Sequence, residues 1–145
     1  MERQIFGMLP DGVDCRPRRA AYAVIHNSGG NVAAITANFR GRDEFWLPGG
    51  GIEHGESPRQ TVVREVREEL GRGAVVGSEL GKARQFFFAG DEGCWYDMTA
   101  WFFKAEFLGE AQNDGEFALH WIDATTGHTD FFHECHAWAA LLAQG

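Results

Sequence analysis

The sequence has 145 residues, and its formal net charge is −8 at pH 7. A chain of this length usually forms one domain, so we expect a single domain over residues 1–145. The acidic balance argues against a broad nucleic-acid-binding surface, which normally needs a basic face.

The sequence also bears on compartment and redox state. No apolar run approaches the roughly 20 residues that cross a bilayer, and the polar start does not resemble a signal peptide. Cys15, Cys94 and Cys135 are odd in number and widely spaced, which disfavours a disulfide framework. We therefore expect a cytoplasmic protein with no membrane partner.

The first part of the chain alternates strand patterns with turn signals. Residues 20–26 alternate small and larger apolar side chains, as buried strands do. The turn cluster at 27–30 then predicts a hairpin whose returning strand covers residues 32–39. A short strand at 45–47 stops at Pro48, and three consecutive glycines follow it.

One helix is predicted in the middle of the chain and another near its end. Ser57 and Pro58 are typical of a helix start, and Gly71 and Gly73 of a helix end. Further elements are predicted as strands at residues 74–76, 84–88, 94–107 and 117–122 and as a closing helix at 131–142. This order predicts an α/β (α+β) fold, with a mixed β-sheet sandwiched between α-helices.

Residues 50–71, with the sequence GGIEHGESPRQTVVREVREELG, join a glycine-rich loop to the middle helix. At about 100° per residue, Glu65, Glu68 and Glu69 fall within one narrow arc of that helix. Carboxylates this close raise one another's pKa unless a positive charge compensates, and oxygen ligands suit Mg²⁺ or Mn²⁺ better than zinc. A solvated acidic face is the alternative, but it leaves the triple glycine and Arg64 unexplained.

This segment resembles the Nudix box: a glycine, five residues, a glutamate, seven residues, and then Arg-Glu-apolar-x-Glu-Glu-x-Gly-apolar. The matching residues are Gly50, Glu56, Arg64, Glu65, Val66, Glu68, Glu69 and Gly71. The last apolar position is occupied by Arg72, a departure that bears on the packing of the helix end. The resemblance implies the Nudix fold and hydrolysis of a diphosphate bond in a nucleoside diphosphate linked to another group.

The resemblance also implies a metal site. Glu65 and Glu69, one helical turn apart, would hold Mg²⁺ or Mn²⁺, and Glu68 would share the cluster. In the family a main-chain carbonyl of the glycine loop adds a ligand, and that carbonyl maps to Gly49. The cation would neutralise phosphoryl charge and activate a water molecule.

Two roles beside the metal ligands follow from the same segment. Arg64 cannot bind a cation and is expected to pair with Glu56, holding the loop against the helix by a charge-assisted hydrogen bond. The general base stays open between Glu65 and a carboxylate before the strand at 117–122, where Glu116 could also be an extra metal ligand. For Glu116 an exposed loop acid without a role is the alternative.

Two other groups have both a functional and a structural interpretation. Arg16, Arg18 and Arg19 could contact phosphate, although a solvated segment before the first strand is the commoner outcome. Aromatic side chains could stack on a nucleobase, although most should be core, and substrate-binding residues stay unassigned. The aromatic residues in question are Phe86, Phe87, Phe88, Trp95, Tyr96 and Trp101, with Phe45 and Trp46 nearest the box.

Histidines are concentrated near the end of the chain. His133, Cys135 and His136, with His128 nearby, resemble metal ligands, but an ordinary closing helix is favoured over a structural zinc site. His120 beside Trp121 is interpreted as strand packing.

The substrate is constrained mainly by what the chain lacks. No proline follows Pro58, whereas hydrolases of ADP-sugars commonly have one beyond the box. The compact length favours a nucleoside triphosphate pyrophosphohydrolase that releases a nucleoside monophosphate and pyrophosphate. The alternative is a catalytically silent nucleotide-binding Nudix module acting as a sensor or interaction domain. The expected partner is a small-molecule nucleotide, and the resemblance is compatible with a homodimer.

Overall fold

The computed structural model describes residues 4–39, 41–111, 114–126 and 130–143. Its elements are the strands β1 (Gln4–Phe6), β2 (Cys15–Val24), β3 (Val32–Phe39), β4 (Arg42–Trp46) and β5 (Gly49–Gly51), the helix α1 (Pro58–Leu70), the strands β6 (Gly73–Ala89), β7 (Cys94–Leu108) and β8 (His120–Ile122), and the helix α2 (Glu134–Leu142). The short strands β1 and β5 were not predicted, because each contributes only three residues to its sheet.

The strands form two sheets. The larger sheet has the order β1-β6-β7-β2-β5, in which β1 runs parallel to β6 and β2 runs parallel to β7. The pairs β6–β7 and β2–β5 are antiparallel, so the sheet is mixed, as predicted. The smaller sheet is antiparallel and has the order β4-β3-β8.

The two helices pack on opposite faces of the larger sheet. Alternate residues of a strand face opposite sides, and β2 shows this clearly. Ala20 and Tyr22 join one core with Ala139 of α2, while Ala21 joins a second core with Val66 of α1. The predicted arrangement of a mixed sheet between helices is therefore confirmed.

The predicted hairpin between residues 20–26 and 32–39 is wrong. Strand β3 has the predicted bounds, but it belongs to the smaller sheet, since β5 and β7 occupy both edges of β2. Only an isolated bridge between His26 and Val32 connects the two segments, so the turn carries the chain from one sheet to the other.

The predicted break between strands at 74–76 and 84–88 is also absent. Strand β6 is continuous over 17 residues, and shifts of register flank Glu79 where it pairs with β7. The glycines at 77 and 81 suggest a turn in the sequence, but here they lie in a bulged part of one strand. The last strand and the closing helix are shorter than predicted, at His120–Ile122 and Glu134–Leu142.

Two further features of the described residues are the state of the cysteines and the length of the helices. Cys15, Cys94 and Cys135 are free thiols. None of the helices in the described ranges has the length and apolar character needed to cross a membrane.

Candidate active site

The glycine loop lies directly against β2 and α1. Gly49 has φ +148°, and a Cβ atom there would collide with the carbonyl oxygen of Ala21 and approach Tyr22 Cα at 2.7 Å. A Cβ atom on Gly50 would come within 2.9 Å of the Glu65 carboxylate. The loop can therefore approach the helix this closely only because these two positions lack side chains.

Helix α1 begins at the predicted place. Ser57 is its N-cap: Ser57 Oγ accepts a hydrogen bond from Gln60 N at 3.1 Å, and Gln60 Oε1 accepts one from Ser57 N at 2.9 Å. This capping box satisfies two amide groups that the first turn of a helix leaves free. The helix ends at Gly71 in the left-handed conformation, also as predicted.

Arg64 clamps the loop to the helix. Its Nε donates to Glu56 Oε2 at 2.7 Å and its Nη2 to Glu56 Oε1 at 3.0 Å, which forms a bidentate pair. Nη2 also donates to the carbonyl oxygen of Gly51 at 3.0 Å, and Nη1 donates to Glu65 Oε1 at 2.8 Å. The predicted pairing of Arg64 with Glu56 is confirmed, and it holds the pKa of Glu56 down at about 2 through these hydrogen bonds.

The three glutamates of the predicted cluster have different environments. Glu69 is only 6% exposed and shares the buried side of α1 with Val66, whereas the Glu68 side chain is 54% exposed and contacts Arg64 at 3.2 Å. The acidic arc predicted from the sequence therefore overlaps the buried face of α1 at Glu69. Glu65 lies between these extremes, with a half-buried side chain beside Gly50.

Burial makes the ionisation of Glu69 unfavourable. Desolvation raises the pKa of Glu69 to about 9, and the nearby charges of Glu65 and Glu116 push it in the same direction. The Gly49 amide, which donates to Glu69 Oε1 at 2.8 Å, opposes this only in part. Burial also raises the pKa of Glu65, despite its hydrogen bond from Arg64.

These carboxylates have the chemistry of a site for a hard divalent cation. The buried Glu69 and the half-buried Glu65, both with raised pKa, lack full charge compensation, and the missing side chain of Gly50 leaves the space that the Glu65 carboxylate fills. Within the described ranges, however, no three Asp, Glu, His or Cys side chains form a preorganised metal site. The fit thus rests on Glu65 and Glu69, with Glu68 at the periphery.

The segment around Glu116 docks on the end of α1. Its backbone N donates to the Glu68 carbonyl oxygen at 3.0 Å, and Phe117 N donates to the Glu69 carbonyl oxygen at 2.8 Å. A Cβ atom on Gly115 would collide with the same Glu69 carbonyl. These contacts fix the Glu116 backbone at the end of α1, while its side chain is exposed, so a role for Glu116 stays a prediction.

A cleft of about 590 Å³ opens beside these carboxylates, and Glu69, Gly49 and Gly50 are among its lining residues. Aromatic side chains form much of the remaining lining: Trp46, Phe87, Tyr96, Phe117 and Phe132. Rings within this set contact each other, with centroids 5.3 Å apart for Trp46 and Phe132 and 5.4 Å apart for Phe87 and Tyr96. The volume lies within the range of small-molecule sites.

Arg18 is the only Lys or Arg among the described residues that line the cleft. Its guanidinium lies beside the glycine loop, 3.7 Å from where a Cβ atom of Gly51 would be. Alternation along β2 places Arg19 on the opposite face, where it stacks on Trp101 at 5.1 Å, whereas Arg16, two residues before Arg18 on the same face, is exposed. In the sequence the three arginines form one basic cluster, so the sequence alone does not identify Arg18 as the one that lines the cleft.

The aromatic residues that line the cleft come from distant parts of the chain. Trp46, Phe87 and Tyr96 belong to the set considered in the sequence, whereas Phe117, Phe132 and His133 were not considered for substrate binding. No local pattern marks these three residues, since the fold brings them together. Phe45, the neighbour of Trp46, instead packs on His120 with ring centroids 5.6 Å apart, which confirms strand packing for His120.

The closing histidines are buried inside the protein. His133 precedes α2, and His136 and Cys135 lie within it, all almost completely inaccessible. They form no cluster of metal ligands among the described residues, and His128 lies outside those residues. The predicted closing helix is therefore confirmed for Cys135 and His136, and His133 is its N-cap residue.

Arg72 explains how the chain tolerates its departure from the box. Its guanidinium carbon lies 3.8 Å from the centroid of the Phe107 ring, and its Nη2 donates to the Gly109 carbonyl oxygen at 3.0 Å. A stacked guanidinium thus supplies the flat packing surface that an apolar side chain would provide.

A larger cavity of about 740 Å³ lies elsewhere, lined by residues that include His26, Lys104 and Glu106. None of the box carboxylates lines this cavity, so its size does not make it the better candidate for the active site. The smaller cleft is lined by the buried carboxylate of Glu69, by Gly49 and Gly50 of the glycine loop, and by aromatic side chains.

The sequence matches one protein-family model and is similar to curated proteins. A family model described as the NUDIX domain matches residues 16–135. The chain is 37% identical over 116 residues to a candidate mutator protein, MutT4, of Mycobacterium tuberculosis (strain CDC 1551 / Oshkosh), covering 78% of this chain and 41% of that protein. It is 35% identical over 63 residues to an RNA pyrophosphohydrolase of Halorhodospira halophila (strain DSM 244 / SL1), covering 43% of this chain and 34% of that protein.

The fold is also that of solved structures. A NUDIX hydrolase from Nitrosomonas europaea superposes with a TM-score of 0.71 at 18% identity, covering 89% of each chain. At this identity the likeness shows the fold alone. The chain spans less than half the length of the two relatives above, so their activities belong to proteins with additional sequence.

Proposed function

The chain belongs to the Nudix family, and on that basis we propose that it is a metal-dependent hydrolase of a diphosphate bond in a nucleotide. The observation that carries the proposal is the position of Glu69. Its buried, incompletely compensated carboxylate lines the same cleft as the aromatic residues and Arg18. A nucleotide needs this combination: a surface for its base, a cation for its phosphates and acidic ligands for a metal ion.

Glu65 and Glu69, with the carbonyl of Gly49, would hold Mg²⁺ or Mn²⁺, and Glu68 would complete the set from the periphery. When bound, the divalent cation would neutralise phosphoryl charge and lower the pKa of a bound water molecule. Arg64 and Glu56 position the loop that presents Gly49 and Gly50 to the helix. Their bidentate pair fixes Arg64, which in turn orients Glu65.

Two carboxylates are candidates for the general base. Glu65 has a pKa raised by burial, which brings a carboxylate closer to the range useful for proton transfer near neutral pH. Glu116 is held at the end of α1 by backbone hydrogen bonds. The hydrogen bonds of Arg64 described above go to other residues, and one of them is Glu65. The roles separate by substitution: loss of the base lowers kcat without changing the metal concentration required, whereas loss of a ligand raises that concentration, whatever its effect on kcat.

The proposed substrate is a nucleoside triphosphate, cleaved to a nucleoside monophosphate and pyrophosphate. The cleft has room for one nucleotide, and each base stacked on an aromatic ring gains about 1–3 kcal/mol. Arg18 is positioned to contact a phosphate group in an otherwise acidic protein. The net charge of −8 disfavours a long RNA, although a triphosphate at an RNA end has the same reacting group.

A catalytically silent nucleotide-binding module is the second candidate. It is favoured by one observation: Arg64 engages both Glu65 and Glu68, and no three-residue metal cluster is preformed in the described part of the chain. The enzyme proposal requires these side chains to rearrange slightly when a cation binds.

The decisive experiment incubates the purified protein with Mg²⁺ and a nucleotide panel, and resolves the products by chromatography. The panel contains canonical and oxidised nucleoside triphosphates, ADP-ribose, NADH, sugar nucleotides and dinucleoside polyphosphates, with chelator controls. We expect chelator-sensitive release of a monophosphate and pyrophosphate from triphosphates. Binding without cleavage, also with Mn²⁺, would favour the silent module instead.

A further inference from the structure

One buried histidine at the cleft has no role in the chemistry proposed above. His133 lines the cleft and is only 4% exposed. Its ring makes edge contacts with Phe87 and Phe132, at centroid distances of 4.5 Å and 4.8 Å. Its Nδ1 atom is buried and has no hydrogen-bond partner among the described residues. Buried polar atoms are normally paired, so an unpaired one beside a ligand-sized cleft calls for an explanation.

The neighbouring His136 indicates which nitrogen of each ring carries a proton. His136 Nδ1 accepts a hydrogen bond from Leu47 N at 3.0 Å, so in the neutral ring the proton is on Nε2. That Nε2 is also buried and without a partner among the described residues. The rings of His133 and His136 are adjacent, with centroids 5.0 Å apart.

The two unsatisfied atoms belong to these adjacent rings. A hydrogen bond from His136 Nε2–H to His133 Nδ1 would satisfy both atoms at once. This leaves the proton of His133 on Nε2. Because the ring lines the cleft while Nδ1 is sealed from solvent, the edge that carries Nε2 is the one a ligand can reach.

His133 is neutral near pH 7. Burial lowers its pKa to about 3, and the positive charge of Arg18 acts in the same direction. Burial also lowers the pKa of His136, with a further contribution from His133. His133 therefore offers a neutral N–H donor and no positive charge for phosphate. A neutral donor beside the aromatic lining of the cleft suits a nucleobase, whereas Arg18 suits the phosphates.

We propose that His133 is a specificity-determining residue that donates its Nε2–H to a carbonyl oxygen of the substrate's nucleobase. The proposal rests on the proposed function only in requiring a nucleotide in this cleft. It predicts a preference for bases with an oxo group over bases with an amino group or hydrogen at the same position. An amino group there would oppose one donor with another and leave both unpaired.

The test compares two pairs of triphosphates in which one member lacks the oxo group. These are inosine triphosphate against purine riboside triphosphate, and uridine triphosphate against its 4-deoxy analogue. We expect the wild type to favour at least one oxo member by about 10- to 100-fold in kcat/KM, as for a buried hydrogen bond. In His133→Phe the preference should fall to about threefold or less, and in the control His120→Phe, a histidine outside the cleft lining, it should persist. An unchanged preference in His133→Phe, or none in the wild type, would overturn the proposal.

Two measurements keep this result separate from the proposed function and from misfolding. If the wild type binds but cleaves no nucleotide, the proposed function fails, and calorimetric affinities for the same pairs then test His133. Long-range ¹H–¹⁵N spectra of the wild type report the tautomer of each histidine directly. We expect Nε2–H for both His133 and His136, and a proton on Nδ1 of His133 would overturn the proposal without any variant.

Discussion

Glu69 combines the burial of a core residue with the charge required of a metal ligand. In Glu69→Gln the amide oxygen can still accept the Gly49 hydrogen bond, but the negative ligand is lost. We expect kcat to fall by about 10²- to 10³-fold, because a bound metal supplies several kcal/mol of charge stabilisation. The measurement is turnover at saturating Mg²⁺, with circular dichroism to verify folding. Glu106→Gln, on an exposed position of β7, should retain activity, and full activity in Glu69→Gln would refute the site.

The same residue makes the metal-free protein sensitive to pH. The pKa of Glu69 is raised from 4.5 to about 9 in the folded state. Between these values the unfolded chain releases a proton that the folded protein retains, so the contribution of Glu69 to stability is fully present below about pH 4.5 and declines as the pH rises towards 9. We expect the melting temperature in chelator to fall between pH 5 and 9, and to fall less in Glu69→Gln. Parallel curves for the two proteins would contradict the burial argument.

The glycine loop is the element that brings the carboxylates together. Substitutions at the adjacent positions Gly49 and Gly50 distinguish the effect of the loop on folding from its effect on metal binding. Ala at Gly50 would place its Cβ 2.9 Å from the Glu65 carboxylate, which is the mobile end of a side chain and can move. We therefore expect Gly50→Ala to fold but to need about 10- to 100-fold more Mg²⁺, as for other changes that displace a metal ligand. The measurement is a Mg²⁺ titration of activity together with the melting temperature.

Gly49→Ala is the matched comparison for this prediction. Its Cβ would collide with the Ala21 backbone, and its φ of +148° is unfavourable for alanine. We expect a large loss of stability, because neither the loop nor β2 can move independently. An unchanged Mg²⁺ requirement in Gly50→Ala would show that the Glu65 carboxylate does not serve as a ligand in this position.

At the level of elements, the sequence predicts best where the signal is local. The start and end of α1 follow from Ser57, Pro58 and Gly71, whose capping geometry depends only on neighbouring residues. The pairing of β3 could not be predicted in this way, because it depends on which strands occupy the edges of β2. The continuity of β6 was missed for a related reason, since pairing with β7 overrides glycines that would otherwise favour a turn.

The candidate site shows the same division. The box fixes the positions of Arg64 and its acidic neighbours through spacing along one helix and its adjoining loop. The rest of the cleft, by contrast, is assembled from β2, β3, β4, β6, β7, the segment of Phe117 and residues before α2. Arg18 and His133 are candidates for substrate contacts only because of their burial and because both line the same cleft. Neither property can be obtained from residue spacing in a single sequence.

Across the whole molecule, the net charge and the Arg18 side chain act on the proposed substrate in opposite directions. The net charge of −8 repels a polyphosphate, while Arg18 offers a local attraction within the cleft. Salt screens the long-range repulsion over a Debye length of about 10 Å at 0.1 M, but it weakens contacts at short range and partial burial much less. The two effects therefore differ in their response to ionic strength.

We expect kcat/KM for a triphosphate to rise modestly as KCl increases towards about 0.15 M at fixed free Mg²⁺, because repulsion slows encounter. Arg18→Gln should lower kcat/KM at every salt concentration by about tenfold, since a charge-assisted contact contributes about 1.5–3 kcal/mol and part of it is replaced by water. Arg16→Gln removes the same charge from an exposed position of the same strand, so its effect should be much smaller. Equal losses in the two variants would mean that Arg18 acts through overall charge and not through a contact in the cleft.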